Sequence, residues 1–146
     1  MKYVLVALKD ELDGHNMNEG EYMVWYTGVG KINATIYATL ACLSKDCTEV
    51  INYGTAGSQK KEHVGNLLKV GICHQRDMDA RPTAELGITP YEATGLEGPL
   101  KIDDKGAAFK KKCTIYKYVS DLADSNAAEH WSENLSKGKD AFLSTV

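Results

Sequence analysis

Four polar segments follow predicted strands, and their residue types suit the binding of a small molecule. Two segments carry carboxylates: residues 9–11, which end in Glu11, and the pair Ser120-Asp121 with Asp124 nearby. The other two, residues 27–30 and 55–57, are rich in glycine. Small residues leave their backbone N–H groups accessible to a polar ligand, and a carboxyl group can act as an acid or a base. The combination suits a neutral or anionic small molecule held between backbone donors and an acid or base.

The elements that must position these segments alternate between strands and helices. Apolar runs predict strands at residues 3–8, 22–26, 49–54, 66–73 and 113–120. A recurrence of apolar residues at three- and four-residue spacing predicts a helix at residues 31–43; the residues are Ile32, Ile36, Leu40 and Leu43. Asn126, with Glu129 three residues later, predicts a capping box at the start of a final helix. This order predicts a three-layer α/β/α fold with a mostly parallel or mixed central sheet.

The carboxyl ends of the strands are where an open α/β sheet binds its ligands. That rule selects the four polar segments as the candidate site. A Gly-x-Gly such as Gly28-Val29-Gly30 does not by itself make a dinucleotide site, because the third glycine and the downstream acid are missing. A plain turn is the alternative interpretation for Gly28 and Gly30.

Composition narrows the class of protein. The 146 residues fit one domain, and a net charge of −3 with scattered Lys and Arg argues against a nucleic-acid partner. The first apolar run is too short for a signal peptide or a membrane span, so we expect a cytoplasmic protein without a membrane partner. The four cysteines and four histidines lack metal-ligand spacing, which predicts no metal and no cofactor. We expect Trp25 and Trp131 to be core residues.

Four motifs occur in an order that resembles a known superfamily. They are TGVGKINAT, VINYGTAG, QRDMDA with TPYE, and YVSDLAD. The chain resembles the nucleoside phosphorylase and nucleosidase superfamily, and is most similar to its methylthioadenosine/S-adenosylhomocysteine nucleosidase-like branch. The resemblance covers residues 1–95 and about 113–143.

The resemblance implies roles for individual residues. Glu11 matches the acid that orients or activates the attacking water, and Asp121 matches the acid that protonates the purine at N7. Asp121 would have to carry a proton near neutral pH for this role, and Asp124 is a candidate neighbour that would favour it; the alternative is a role for Asp124 at the start of a helix. The implied substrate-binding residues are Gly28, Thr55, Ala56, Gly57 and Ser120.

The chain also departs from the superfamily. Between about residues 98 and 112 the family has several tens more residues, including an aromatic that stacks on the base and a Met-Glu pair that binds the ribose. A phosphorylase would need an arginine-lined phosphate site, and this chain offers Arg76 and Arg81 alone, so hydrolysis is favoured.

Three hypotheses follow from the match and the deletion: a compact purine nucleosidase, a non-catalytic nucleoside-binding or regulatory homologue, and a purely structural remnant or assembly partner. The shortened sheet would expose an edge, so we expect a homodimer or a higher homo-oligomer.

Overall fold

The computed structural model describes residues 1–16, 22–73, 79, 81–86, 93–94 and 111–146. The strands are β1 (Lys2–Val6), β2 (Tyr22–Tyr26), β3 (Glu49–Gly57), β4 (Leu67–Lys69), β5 (Ile72–Cys73), β6 (Ala93–Thr94) and β7 (Lys112–Asp121). The α-helices are α1 (Lys31–Leu43), α2 (Arg81–Glu85), α3 (Ala127–Asn134) and α4 (Lys139–Thr145). Two short 3-10 helices span Lys9–Leu12 and Lys61–His63.

The central sheet is mixed. Within the described residues it has five strands in the order β2-β1-β3-β7-β4. The first four strands are mutually parallel, and β4 runs antiparallel to β7 at the edge. A separate two-stranded ribbon joins β5 to β6. The parallel strands therefore bring the ends of β1, β2, β3 and β7 to one edge of the sheet.

Alternate residues of each strand enter two different hydrophobic cores, as the pleat requires. On one face Val4, Val6 and Tyr53 pack with Phe142 of α4. On the other face, Tyr3, Leu5 and Val50 pack with Ala41 and Cys42 of α1. Helices thus cover both faces of the sheet, and the predicted α/β/α class with a mixed sheet is confirmed.

Several predicted boundaries differ from the structure. The strand predicted at residues 66–73 divides at Val70 and Gly71 into β4 and β5, which belong to different sheets. The predicted capping box is wrong: Asn126 precedes α3 but its side chain caps no backbone N–H. Instead, the Asp124 carboxylate accepts the Asn126 N–H at 2.9 Å, which is the helix-start role considered for Asp124.

The spacing of apolar residues predicts α1 correctly, but those residues do not face the core. Ile32, Ile36, Leu40 and Leu43 are all exposed, and the residues that α1 buries are Ala41 and Cys42. An amphipathic pattern ordinarily turns its large apolar residues inward, so α1 is unusual in this respect.

Candidate active site

Glu11 is held rigidly at the carboxyl end of the sheet. It lies in the 3-10 helix directly after β1 and is 4% exposed. Its Oε2 accepts the Leu8 N–H at 3.1 Å, while Oε1 accepts the Thr55 N–H at 2.9 Å and the Thr55 hydroxyl at 3.0 Å. Three donors, one from Leu8 and two from Thr55, therefore fix the orientation of the Glu11 carboxylate against the end of β3. The sequence prediction that brings Glu11 and Thr55 to one place agrees with this geometry.

A half-buried lysine, Lys117, accompanies Glu11, and the sequence reasoning missed it. A Cβ on Gly54 would lie 3.2 Å from both the Glu11 Oε1 and the Lys117 Nζ, so both charged groups border this side-chain-free position. The Lys117 ammonium also donates to the Asn52 side-chain oxygen at 2.8 Å. Burial lowers the pKa of Lys117, and the nearby Glu11 charge opposes that shift. The available signal was that Lys117 is the single charged residue in the strand predicted at residues 113–120, since a charge that is partly removed from water needs a partner.

Asp121 ends β7, and both of its carboxylate oxygens are hydrogen-bonded. Oδ2 accepts the Ser120 hydroxyl at 2.7 Å, and Oδ1 accepts the Ala123 N–H at 2.8 Å. The register shifts here, since Ala56 pairs with Val119 and Gly57 pairs with Asp121. The irregularity leaves Ser120 unpaired in the ladder, with its hydroxyl 3.4 Å from the Ala56 carbonyl oxygen. Ser120, Asp121, Ala56 and Gly57 are therefore neighbours, as predicted.

Two glycines make room for the two acids. Residues 55–57 belong to β3 and do not form a segment beyond its end, which corrects the sequence interpretation. A Cβ on Gly57 would lie 2.8 Å from Asp121 Oδ1, and the one on Gly54 would approach Glu11 Oε1. Thr55 and Gly57 are two residues apart, or about 7 Å along a strand. The Glu11 and Asp121 carboxylates therefore contact nearby positions at the end of one strand.

Gly28 lies apart from these residues and has the geometry of a turn. Its φ is +80°, its N–H donates to the Ala7 carbonyl at 3.0 Å, and its carbonyl accepts the Thr27 hydroxyl at 2.8 Å. Two strand spacings, about 10 Å, separate β2 from β3 across β1. Its backbone N–H is already used, so the turn interpretation accounts for Gly28 and its predicted substrate contact stays a prediction.

Trp131 borders the site instead of lying in the core, so the sequence expectation for this residue is wrong. Its side chain is 37% exposed, and the indole N–H donates to the Thr55 hydroxyl at 2.9 Å. The Thr55 hydroxyl therefore donates its hydrogen to the Glu11 carboxylate and accepts the Trp131 N–H with a lone pair. The helix α3 thereby places an aromatic ring beside the end of β3.

A cavity of about 350 Å³ adjoins Asp121. This volume lies in the range of small-molecule sites. Glu11 and residues 55–57 are not among the residues that line it. The lining residues are Lys61, Val64, Ser120, Asp121, Leu122, His130 and Asn134.

The arginine available for an alternative phosphate site is already paired. Arg81 binds the Asp79 carboxylate at 2.7 Å with both side chains exposed, and Arg76 lies outside the described residues. The guanidinium also lowers the pKa of Asp79. Since a carboxylate would compete with phosphate for Arg81, this geometry gives no support to phosphorolysis.

The described part of the chain offers neither a metal site nor a membrane-spanning helix. It contains no group of three or more His, Cys, Asp or Glu side chains arranged to hold a metal ion. None of its helices has the length and apolar character needed to cross a bilayer.

Comparison with known proteins gives matches among solved structures. No protein-family model and no curated protein sequence matches the chain. The 5′-methylthioadenosine/S-adenosylhomocysteine nucleosidase of Helicobacter pylori aligns over 99% of this chain and 96% of its own, with 17% identity and a TM-score of 0.68. The MTA/SAH nucleosidase of Streptococcus pneumoniae aligns over 98% and 95%, with 14% identity and a TM-score of 0.73.

A third similar structure is futalosine hydrolase of Helicobacter pylori, with 17% identity, a TM-score of 0.67, and coverage of 98% of this chain and 95% of that one. At such identities the likeness shows the fold alone. The chain therefore has the fold of these nucleosidases, and the predicted resemblance is confirmed at that level.

Proposed function

We propose that this chain is a purine nucleosidase that hydrolyses the N-glycosidic bond of an adenosine-type nucleoside, of the methylthioadenosine or S-adenosylhomocysteine class. The observation that carries the proposal is the placement of two buried carboxyl groups, Glu11 and Asp121, against nearby positions at the end of β3. The shared nucleosidase fold supports it. We also propose that the chain is one domain, shortened relative to nucleosidases between about residues 98 and 112.

Glu11 serves as the base that activates water. As the C1′–N9 bond breaks, the sugar gains positive charge, water attacks C1′, and Glu11 accepts the proton that the water releases. Thr55 and Leu8 hold the carboxylate in place, so it need not reorient during the reaction. The Lys117 ammonium and the Glu11 carboxylate border the same side-chain-free position at Gly54.

Asp121 serves as the acid that protonates the purine. The electron pair of the broken bond moves into the base, and a proton from Asp121 to N7 neutralises the charge. Ser120 permits the carboxyl group to hold that proton, because its hydroxyl can turn toward the Ala56 carbonyl and accept from Oδ2. The cavity beside Asp121 is the place where we put the purine, with the sugar directed toward Thr55 and Glu11.

Release of free adenine from methylthioadenosine by the purified chain tests the proposal. We expect turnover by the wild type and a loss of about 10²–10⁴-fold in kcat for Asp121→Asn and for Glu11→Gln, the range typical of general acid–base catalysis. Asp124→Asn is the matched control, since Asp124 is an exposed carboxylate that bonds the Asn126 N–H alone in its loop. S-adenosylhomocysteine and futalosine, named for neighbours of the same fold, are the further substrates to assay. Equal rates for wild type and Asp121→Asn on all three would refute the assignment.

A nucleoside-binding protein without activity is the second candidate. The observation that favours it is that both Asp121 oxygens already accept hydrogen bonds within the protein, so that contact with a purine would have to compete with one of these bonds. In that case no adenine is released, yet adenine or methylthioadenosine raises the melting temperature of the wild type, because it binds the folded state alone. Self-association, predicted from the sequence, stays a prediction under either function.

A further inference from the structure

The cavity beside Asp121 is bordered by an asparagine whose orientation is fixed. Asn134 is the last residue of α3, and its side-chain amide N–H donates to the Ser120 carbonyl oxygen at 2.8 Å. Asn134, Ser120 and Asp121 all line the cavity. A carbonyl oxygen can bind only the donor end of an amide, so the Asn134 side chain cannot turn over without losing this hydrogen bond.

The amide oxygen of Asn134 remains available as an acceptor. Among the described residues no donor binds Asn134 Oδ1, whereas the nitrogen of the same amide is used on Ser120. An amide oxygen carries lone pairs and no hydrogen, so it can bind donors alone. Asn134 is half-buried, and an acceptor partly removed from water is costly to leave unpaired. The cavity therefore offers a ligand an acceptor of fixed sense near Asp121.

Two hydrogen bonds tie α3 to the sheet, so this acceptor is fixed in place. Trp131 donates its indole N–H to the Thr55 hydroxyl at 2.9 Å, and Asn134, three residues later on the same side of the helix, is bonded to Ser120. Thr55 and Ser120 belong to the neighbouring parallel strands β3 and β7. A side chain that is already ordered loses little conformational entropy when a ligand binds.

The other side chains of the cavity have no fixed hydrogen-bonding sense toward a ligand. His130 can donate or accept, depending on which ring nitrogen carries the hydrogen. Lys61 can only donate, but it is exposed and its ammonium is carried on a flexible stem. Val64 and Leu122 have no polar side-chain atom. Apart from Ser120 and Asp121, which are bonded to each other, Asn134 is therefore the described lining residue best able to select a ligand.

The edge of a purine that carries N7 also carries the substituent at position 6. Adenine presents an N7 acceptor and a 6-amino donor on this edge, whereas a 6-oxopurine presents two acceptors. An acid that contacts N7, the role proposed for Asp121, therefore brings the 6-substituent toward the side chains beside it. We infer that Asn134 distinguishes 6-amino from 6-oxo purines, because its Oδ1 accepts the 6-amino N–H and faces the lone pairs of a 6-oxo group. The inference rests on the proposed placement of the purine in this cavity.

Calorimetric titration with adenine and with hypoxanthine tests the inference without requiring turnover. We expect the wild type to bind adenine at least about 10-fold more tightly, because hypoxanthine leaves two acceptors facing each other. Asn134→Leu removes the acceptor at similar size, so it should weaken adenine binding and bring the two dissociation constants within about threefold of each other. Asn134→Asp keeps an oxygen acceptor and should keep the preference. Asn126→Leu is the matched control, since Asn126 is exposed before α3 and its side chain caps no backbone N–H.

The ratio of the two affinities separates recognition from a structural role. A wild type that binds both bases equally, or an Asn134→Leu variant that keeps the wild-type ratio, would overturn the inference. An equal loss of affinity for both bases in Asn134→Leu would show that Asn134 merely anchors α3, which also overturns it. If Asn134→Leu does not fold, loss of the preference in a folded Asn134→Asp has the same consequence.

The same titrations distinguish this inference from the proposed activity. A wild type that binds neither base refutes the purine site, and the inference falls with it. A wild type that prefers adenine through Asn134, yet releases no adenine from methylthioadenosine, refutes the hydrolase and supports the inference.

Discussion

Gly57 should be indispensable for stability because the Asp121 carboxylate occupies the space of a side chain. The Cβ of a Gly57→Ala variant would lie 2.8 Å from both Asp121 Oδ1 and Ala123 Cβ, closer than real Cβ contacts come. Those two neighbours are tied together by the Ala123 N–H donated to Asp121 Oδ1, so neither can move alone. The φ of Gly57 is not positive, which makes steric overlap the main cost of the substitution.

The magnitude follows from two costs and one gain. Overpacking a tight site costs about 1–3 kcal/mol, and leaving a buried hydrogen-bonding group unsatisfied costs about 1–3 kcal/mol. The lower chain entropy of the unfolded variant offsets about 0.4–1 kcal/mol. We therefore expect Gly57→Ala to lower the free energy of unfolding by about 1–5 kcal/mol, or about 0.5–2.5 M in the urea midpoint at an m-value of about 2 kcal/mol/M.

Urea unfolding followed by tryptophan fluorescence measures this change, with Gly54→Ala as the comparison. A Cβ at Gly54 meets Glu11 Oε1 and Lys117 Nζ at 3.2 Å, the ends of two side chains, so its cost should stay near 1 kcal/mol or below. A Gly57→Ala variant as stable as the wild type, or more stable than Gly54→Ala, would contradict the described packing around Asp121.

Three further substitutions test the surroundings of the buried Tyr53 and the half-buried Lys117. Tyr53→Phe should keep or raise stability at pH 7, since the Tyr53 hydroxyl is buried without a hydrogen-bond partner in the described residues. Burial raises the pKa of Tyr53, so the wild type loses stability as the pH rises above about 10, where the unfolded chain ionises and the folded one does not; urea titrations should show the Phe variant gaining about 1 kcal/mol on the wild type between pH 10 and 11. Gly138→Ala should destabilise by about 1–3 kcal/mol in the same assay, because its Cβ would overlap the Tyr118 side chain and approach the Tyr53 hydroxyl to 2.6 Å. Lys117→Met should remove a rise in stability with pH, because the lowered pKa of Lys117 makes the unfolded chain bind more protons up to about pH 10.4; an unchanged pH profile would contradict burial of the amine.

The sequence predicted the bounds of the strands better than the pairing between them. Apolar runs located β2 at its observed bounds and β7 to within one residue at each end, because buried parallel strands are continuous apolar stretches. The division of residues 66–73 into β4 and β5 depends on which strand each half pairs with. A one-dimensional pattern does not contain that information.

The sequence likewise predicted some residues of the candidate site and missed others. Because each follows a predicted parallel strand, Glu11, Thr55 and Asp121 were predicted to share the carboxyl edge of the sheet, and the strand order places them there. Lys117 and Trp131 were missed as site residues because both lie in largely apolar segments. Trp131 reaches the site through a hydrogen bond to Thr55, 76 positions away in the chain. Lys117 reaches it because its ammonium and the Glu11 carboxylate both lie beside Gly54. The exposure of the large apolar residues of α1 was equally hidden, since periodicity shows that residues share a face and not what that face contacts.

The most direct test of the central claim is the initial rate of adenine release from methylthioadenosine, measured side by side for the wild type, Asp121→Asn and Asp124→Asn. Our account predicts turnover by the wild type and by Asp124→Asn, and a rate at least 100-fold lower for Asp121→Asn in a folded protein. Loss of activity in both variants alike, or in neither, would contradict the role of Asp121 as the acid of an N-glycosidic hydrolase.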